Sequence, residues 1–302
     1  MVVSVFGTNG MLSSFLSSFF SKVFSGNEVN VYGIKKPEDY LFTKFIPTDF
    51  LNDEIDWGLL IKSDLIIYAA GAGVQAAINT NPDLVYKLNL NVPLTICNTL
   101  KKNNYEGVYI SFGSYMEIGL NDNDAKLFDE KEIELSSNTV SNDYALSKRL
   151  LTRFMGNLTA PYRFWHFILP NIFIKNEIGT RLIPYVLNYI KKTKNGEHSE
   201  LPKLSSGNQI RQYINFEDVC YVITKCLEYK IPSGIYNIGG GEALSIKELI
   251  IRLFNYYQVP ICDEMFGREV RRDGDIKSLK LNAGKLQILI GYLPHQKIES
   301  IL

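Results

Sequence analysis

Short apolar runs that alternate with helical patterns restrict this chain more than any other feature of its sequence. Residues 2–7 read VVSVFG, 28–33 EVNVYG, 44–50 KFIPTDF and 63–73 SDLIIYAAGAG, the last with an almost unbroken apolar centre. Residues 11–24, between the first two runs, carry apolar side chains at helical spacing. Strands that are apolar on both faces must be covered on both faces, so this alternation implies a parallel sheet with helices on each side.

The pattern continues. A helix is expected from near Asp83 to about Lys102, with Pro93 marking a kink or a local irregularity because proline lacks the N–H its turn needs. GVYISFGS (107–114) reads as a fifth strand, a helix carries Tyr144 and Lys148, and RFWHFILPNIF (163–173) reads as a sixth strand. After Pro170 the texture changes. RLIPYVLNYIKK (181–192) is an amphipathic helix, KNGEHSE (194–200) a polar loop, and residues 211–229 a strand running into a helix. Residues 234–254 give a short strand, a glycine turn and another helix. No internal repeat or low-complexity linker separates the halves, so the second is expected to interleave with the first.

Composition excludes several function classes. The chain has 302 residues, 46% of them hydrophobic, enough for a sizeable core. Thirty-two basic residues balance thirty-two acidic ones, leaving no overall field to draw the chain to nucleic acid or to an anionic membrane. Cys97, Cys220, Cys226 and Cys262 form no C-x-x-C pair and His166, His198 and His295 lie far apart, so no metal site is expected. The cysteines read as reduced packing residues of a cytoplasmic protein. MLSSFLSSFF (11–20) has no basic stretch before it and is too short to span a bilayer.

Two features carry chemistry. In VFGTNGMLSSF (5–15), Gly7 and Gly10 lie three apart between a strand and a helix, where a backbone can approach a pyrophosphate and a helix N-terminus offers free N–H groups. In SNDYALSK (141–148), Tyr144 and Lys148 lie one helical turn apart. A free phenol titrates near pH ~10, so its use near neutrality requires that midpoint to fall by roughly three pH units, about 4 kcal/mol, part of which an adjacent ammonium supplies.

With the two glycines, the sequence resembles the extended short-chain dehydrogenase/reductases, whose members mostly act on nucleotide sugars, and the resemblance covers nearly the whole chain. Their opening loop is G-x-x-G-x-x-G; here Ser13 stands in the third place. The resemblance implies an α/β fold: a Rossmann-type doubly wound parallel sheet (residues 1–168, with part of 212–238 returning to it) and a smaller, interleaved C-terminal α/β substrate lobe (169–302). It implies that Gly7, Asn9, Gly10, Met11, Asp49, Phe50, Ala70, Gly71 and Asn91 line a dinucleotide, with Pro170 near its nicotinamide. SFGSYMEIG is similar to the family's fifth-strand end, which makes Ser114 the partner of Tyr144 and Lys148: Ser114 orients a carbonyl oxygen, Tyr144 protonates it, and Lys148 tunes the phenol and holds the ribose. In the substrate lobe the resemblance implies that Tyr115, Asn171, Arg181, Arg211, and Arg271 or Arg272 meet a nucleotide sugar, the arginines through its diphosphate.

Relatives that prefer NAD carry an acidic residue at the end of the second strand. Gly33 holds that place, with Lys35 and Lys36 beyond it, so NADP(H) is favoured, with NAD(H) the other possibility. Relatives that dehydrate a sugar carry an Asp-Glu pair directly after the Ser or Thr. Here those positions are Tyr115 and Met116, which rejects a 4,6-dehydratase. The expected activity is NADPH-dependent reduction of a nucleotide-linked 4-keto-6-deoxy sugar, as in deoxysugar synthesis for surface polysaccharide. The alternatives are a 4-epimerase with tightly held NAD and, less favoured, a silent NADP-sensing binding protein. The resemblance also implies a homodimer.

Overall fold

The computed structural model describes residues 1–23, 26–52, 55–73, 80–174, 177, 181–240, 242–271, 273, 276–291 and 298. Its strands are β1 (Val2–Phe6), β2 (Glu28–Gly33), β3 (Lys44–Pro47), β4 (Leu65–Tyr68), β5 (Val108–Ser114), β6 (Arg163–Leu169), β7 (Asn171–Phe173), β8 (Ile210–Asn215), β9 (Gly234–Asn237), β10 (Ala243–Ser245) and β11 (Ser278–Leu279). Seven of them form one parallel sheet in the order β3-β2-β1-β4-β5-β6-β9. The winding direction reverses between β1 and β4, and the crevice beyond the carboxyl ends of those strands is where such sheets bind ligands.

The helices are α1 (Met11–Val23), α2 (Trp57–Leu60), α3 (Pro82–Tyr86), α4 (Val92–Lys102), α5 (Glu130–Glu134), α6 (Asp143–Gly156), α7 (Leu182–Lys194), α8 (Phe216–Tyr229), α9 (Ile246–Tyr256) and α10 (Gly284–Ile290). Alternate strand residues feed two cores. Val3, Val5, Val29, Val31, Leu65 and Ile67 pack with Leu16 and Phe20 of α1 and Val219 and Ile223 of α8. Phe6, Tyr32, Ile66, Tyr68 and Tyr109 pack on the other face with Ile96 and Leu100 of α4 and Leu151 and Met155 of α6. This two-residue alternation is what lets one strand serve two layers of helices.

The run at residues 163–173, expected as one strand, is two. Pro170 separates β6, which lies in the main sheet between β5 and β9, from β7, which pairs with β8. Without an N–H, proline cannot extend the ladder, so the chain crosses from one sheet to the other there. β8 anchors the smaller sheet, with β10 antiparallel and β11 parallel along its first half and β7 parallel along its second. A third core, including Phe173, Ile183, Val186, Ile250 and Phe254, lies under α7 and α9. After β8, α8 returns to the main sheet and β9 closes its edge.

The irregularity expected at Pro93 is a π turn over Lys87–Asn91, between α3 and α4. It precedes the proline, which stands at the start of α4 in a helix that runs on unbroken from the π turn; the wider turn accommodates a residue with no N–H to give, and the Leu88 carbonyl of that turn accepts the Tyr68 hydroxyl at 2.6 Å instead. Its extra residue per turn changes which asparagine faces the sheet.

Candidate active site

The loop from β1 to α1 follows from two glycines. Gly7 has φ +108°, and a Cβ there would come within 3.2 Å of the Ala70 backbone. Only glycine gives both the left-handed turn and the close approach to the end of β4. Its N–H donates to the Tyr32 carbonyl at 2.9 Å. Asn9 and Gly10 are exposed at the mouth of α1 and Met11 is half-buried. Ser13, in place of a third glycine, is buried, and its hydroxyl donates to the Gly10 carbonyl at 2.9 Å. This cradle, opening onto the first amides of a 13-residue helix, fits the diphosphate of a dinucleotide.

Gly33 faces Thr8. A Cβ at Gly33 would meet the Thr8 side chain at 2.5 Å, so Thr8, which no sequence pattern singles out, occupies the space an acidic side chain would need. Lys35 and Lys36 are exposed just beyond, on a loop that also holds exposed Glu38 and Asp39. Asp49 is engaged locally, accepting from Leu51 N (2.9 Å) and Asn52 Nδ2 (2.6 Å), while Phe50 is buried against Phe6.

Asn91, expected to reach the cofactor, is exposed, and its carbonyl accepts the Thr95 hydroxyl at 3.0 Å. The asparagine that meets the loop after β4 is Asn89. Its Oδ1 accepts from Ala72 N (3.0 Å), and its Nδ2 donates to Ala72 O (2.9 Å) and to Ser147 Oγ (3.0 Å). The π turn is the physical reason for the change. Gly71 leaves the room this clamp needs, since a Cβ there would lie 2.9 Å from Asn89 Oδ1.

Ser114, Tyr144 and Lys148 come together. Asn142 caps α6, accepting from Ala145 N at 2.9 Å, which puts Tyr144 in the first turn and Lys148 one turn on. Ser114 ends β5 with its hydroxyl near the Tyr144 phenol, where it favours the ionised form. Lys148 is buried, donates from Nζ to the Phe112 carbonyl at 2.8 Å, and lies 6.0 Å from the Tyr144 ring centre. Burial brings Lys148 down to about 8, against the opposing pull of Glu117. Burial also pushes the Tyr144 phenol up to about 12, with the Ser114 hydroxyl pulling the other way. The lowering expected from Lys148 is not seen: burial dominates, and the Glu117 carboxylate pushes the phenol further up. A phenol held this high is fully protonated at neutral pH, the state an acid must start from.

The first carboxylate after Ser114 is Glu117, and it is fully buried. It closes a capping box with Ser114 across the short helical turn Tyr115–Ile118. Tyr115 and Met116 instead line a cavity of about 260 Å³, shared with Asn171, Arg211, Tyr213 and Asp273. Pro170 is buried at the join of β6 and β7.

Arg211 is buried, and donates to Asp273, to Ile276 O at 3.0 Å and to Ile210 O at 2.7 Å. Arg271 reaches two of the same acceptor groups, Asp273 Oδ1 at 3.1 Å and the Ile276 carbonyl. Asp273, unanticipated from sequence, thus collects both arginines. Arg181 has other partners, bound to Glu177 at 2.8 Å, to Met11 Sδ at 3.3 Å and to the Ile172 carbonyl. Arg272 lies outside the described residues. Among the described residues no helix is long and apolar enough to cross a membrane.

Residues 3–239 match the model of the NAD dependent epimerase/dehydratase family. No curated protein matches the chain. Solved structures of similar fold include dTDP-glucose 4,6-dehydratase DesIV from Streptomyces venezuelae with NAD bound (20% identity, TM-score 0.76, covering 100% of this chain and 94% of that one). RMD from Pseudomonas aeruginosa complexed with NADPH is another (18% identity, TM-score 0.76, 99% and 95%). UDP-glucose 4-epimerase from Thermus thermophilus with NAD is a third (17% identity, TM-score 0.76, 100% and 96%). Three proteins with different names, two with NAD and one with NADPH, share this one architecture, so the likeness is one of fold.

Proposed function

The chain belongs to the NAD dependent epimerase/dehydratase family, and from that premise we propose that it reduces a nucleotide-linked 4-keto-6-deoxy sugar with NADPH. The observation that carries this reading is the surroundings of Ser114. Its partner Tyr144 is a protonated phenol beside a buried lysine, whereas the residues that line the cavity after it, Tyr115 and Met116, are not carboxylates. The nearby carboxylate, Glu117, has both oxygens engaged in the interior, so the pair of free carboxyl groups that elimination of water uses directly after the serine is not there.

A bound dihydronicotinamide supplies the hydride. The chain does the rest. Ser114 orients the carbonyl oxygen, Tyr144 gives it a proton, and the Lys148 ammonium stabilises the phenolate left behind, a positioned proton transfer of the kind that contributes on the order of 10² to 10⁴ in rate. Arg211, with Arg271 beside it, meets the diphosphate, which takes over the arginine donors now held by Asp273. NADPH is favoured because Thr8 fills the place of a ribose-binding acid at Gly33 while Lys35 and Lys36 stand exposed.

The test is NADPH oxidation across dTDP-, CDP-, GDP- and UDP-linked 4-keto-6-deoxy sugars. Turnover with at least one, lost by about 10²-fold or more in Tyr144→Phe, is expected. Silence across the panel, with tightly held NAD+ released on denaturation, would turn the reading to a 4-epimerase.

A homodimer is part of the same proposal. Leu146 and Leu150 lie one turn apart on the outer face of α6 and are each 36% exposed, an apolar stripe that a second copy of α6 would cover. Sedimentation should give the mass of two chains, and of one chain in Leu146→Glu/Leu150→Glu. A wild-type monomer would remove this part of the proposal.

A further inference from the structure

The stripe of α6 that carries Tyr144 and Lys148 continues one turn further to Thr152, also buried. Positions four apart on a helix share a face, so Thr152 extends the same line into the protein. Its hydroxyl donates to Glu117 Oε2 at 2.5 Å, and His166 Nε2 on β6 lies 2.9 Å from the same Oγ1. His166 Nδ1 in turn lies 2.8 Å from the Ser111 hydroxyl on β5. The other carboxylate oxygen, Oε1, accepts from the Ser114 backbone N–H at 2.6 Å. Arg149 clasps the Glu117 carbonyl through Nε at 2.8 Å and Nη2 at 2.5 Å. Gly113 makes the space. A Cβ there would fall 2.6 Å from Glu117 Oε1 and 2.8 Å from His166 Nε2.

We propose that Glu117 is a positioning residue for the Ser114–Tyr144–Lys148 site, fixing the Ser114 backbone with one carboxylate oxygen while its charge, anchored by the Thr152–His166–Ser111 chain, acts on Lys148. The inference rests on the reading of that trio as the reacting groups. It assigns a role to a carboxylate that touches neither substrate nor cofactor.

Hydrogen counting makes the chain directional. Thr152 has one hydroxyl proton. When it is given to an ionised Glu117, Thr152 must accept from His166 Nε2–H, and His166 Nδ1 then accepts from Ser111. When Glu117 is protonated and donates, each bond reverses and His166 carries its proton on Nδ1. Burial raises Glu117 to about 7 and pushes His166 down to about 3. His166 therefore stays neutral while its tautomer reports the charge on Glu117.

The ionisable groups around Glu117 are few. α6 brings Tyr144, Lys148 and Arg149, and β6 brings His166. α5 brings Glu130 and Glu134, which are bonded to Asn237 N and Lys131, as well as Lys131 and Glu132. The residues of β11 are Ser278 and Leu279, neither of which is acidic or basic. Glu117 acts on both ionisable members of the trio: its charge raises the proton affinity of Lys148 against burial, and it raises that of the Tyr144 phenol as well.

The test uses the full chain without substrate, so its failure is separate from that of the reductase reading. ¹⁵N spectra of the three histidines at pH 8.5, with His166 assigned by its loss in His166→Asn, should show the Nε2–H tautomer. Glu117→Gln, whose amide donates to Thr152, should show the Nδ1–H tautomer. The Lys148 titration, followed at its ¹³Cε, should fall by roughly one unit in Glu117→Gln as the opposing charge is lost. The wild-type chain needs no substitution to be tested: lowering the pH from 8.5 to 5.5 should switch the His166 tautomer. An unchanged tautomer in both experiments, or an unmoved Lys148 midpoint in a folded Glu117→Gln, would overturn the assignment. If both shifts occur in a protein inactive on every ketosugar, the reductase reading falls and the role of Glu117 toward Lys148 stands.

Discussion

At the scale of single residues, the site combines groups that sequence spacing brings out with groups that it hides. Gly33 illustrates both. Its identity points to a missing acid, but the reason for that identity is Thr8, 25 positions earlier, whose side chain a Cβ at Gly33 would meet at 2.5 Å. Gly33→Ala is therefore expected to cost about 1–3 kcal/mol through overpacking, and Thr8→Ala in the same chain to recover most of it. With that room made, Gly33→Asp should move the NADH-to-NADPH affinity ratio roughly tenfold or more toward NADH. Thermal melts and cofactor fluorescence titrations decide the matter; a Gly33→Ala protein as stable as the wild type would mean that Thr8 does not hold the space. Tyr144 and Lys148 are legible in the sequence because their pairing is local, one turn of one helix. Thr8, Asn89, Asp273 and Glu117 are not, because each gains its meaning from a partner that only the folded chain brings near.

At the scale of elements, the same division holds. The apolar runs of β1, β2, β4, β5 and β6 and the alternation with helices are readable because burial on both faces leaves a compositional mark. What is lost is the point at which regular patterns break. A run of eleven residues with strand-like composition gives no sign of which sheet each half joins, yet Pro170 parts β6 from β7 and so sets Asn171 on the smaller sheet, beside Tyr213. Pro93 does announce an irregularity. Its form, a π turn before the proline rather than a kink at it, decides that Asn89 and not Asn91 meets Ala72, and a motif aligned by counting residues from Val92 cannot register that rotation. α6 joins the two scales. One four-residue period delivers Tyr144 and Lys148 to the cleft and Thr152 to Glu117 inside, so the helix that positions the proposed proton donor also positions the charge behind it.

At the scale of the whole molecule, keeping Glu117 in the interior must appear in the stability of the fold. Its folded value is raised from 4.5 to about 7. The native state therefore binds more protons than the unfolded chain between those limits, and the contribution of this group is fully present below pH 4.5 and is lost as pH rises through 7. His166 has the opposite sign. Brought from 6.5 down to about 3, it favours folding increasingly as pH rises through that window, so the two partly cancel in the wild type. Asp218, raised to about 6 by burial, adds to the trend of Glu117. A comparison of two chains removes these shared terms. Glu117→Gln should match the wild type near pH 4, gain on it by about 1.4 kcal/mol per pH unit above 4.5, and level off beyond pH 7 at roughly 3 kcal/mol in its favour. Urea unfolding at unit steps from pH 4 to 8 measures that difference directly, and a difference that stays flat would mean that Glu117 is not held against ionisation. A rising difference has a further meaning. A fold that would be more stable with glutamine, yet carries a glutamate whose ionised form is opposed at neutral pH, gives up stability at the place where its charge reaches Lys148, as strained groups at functional sites do.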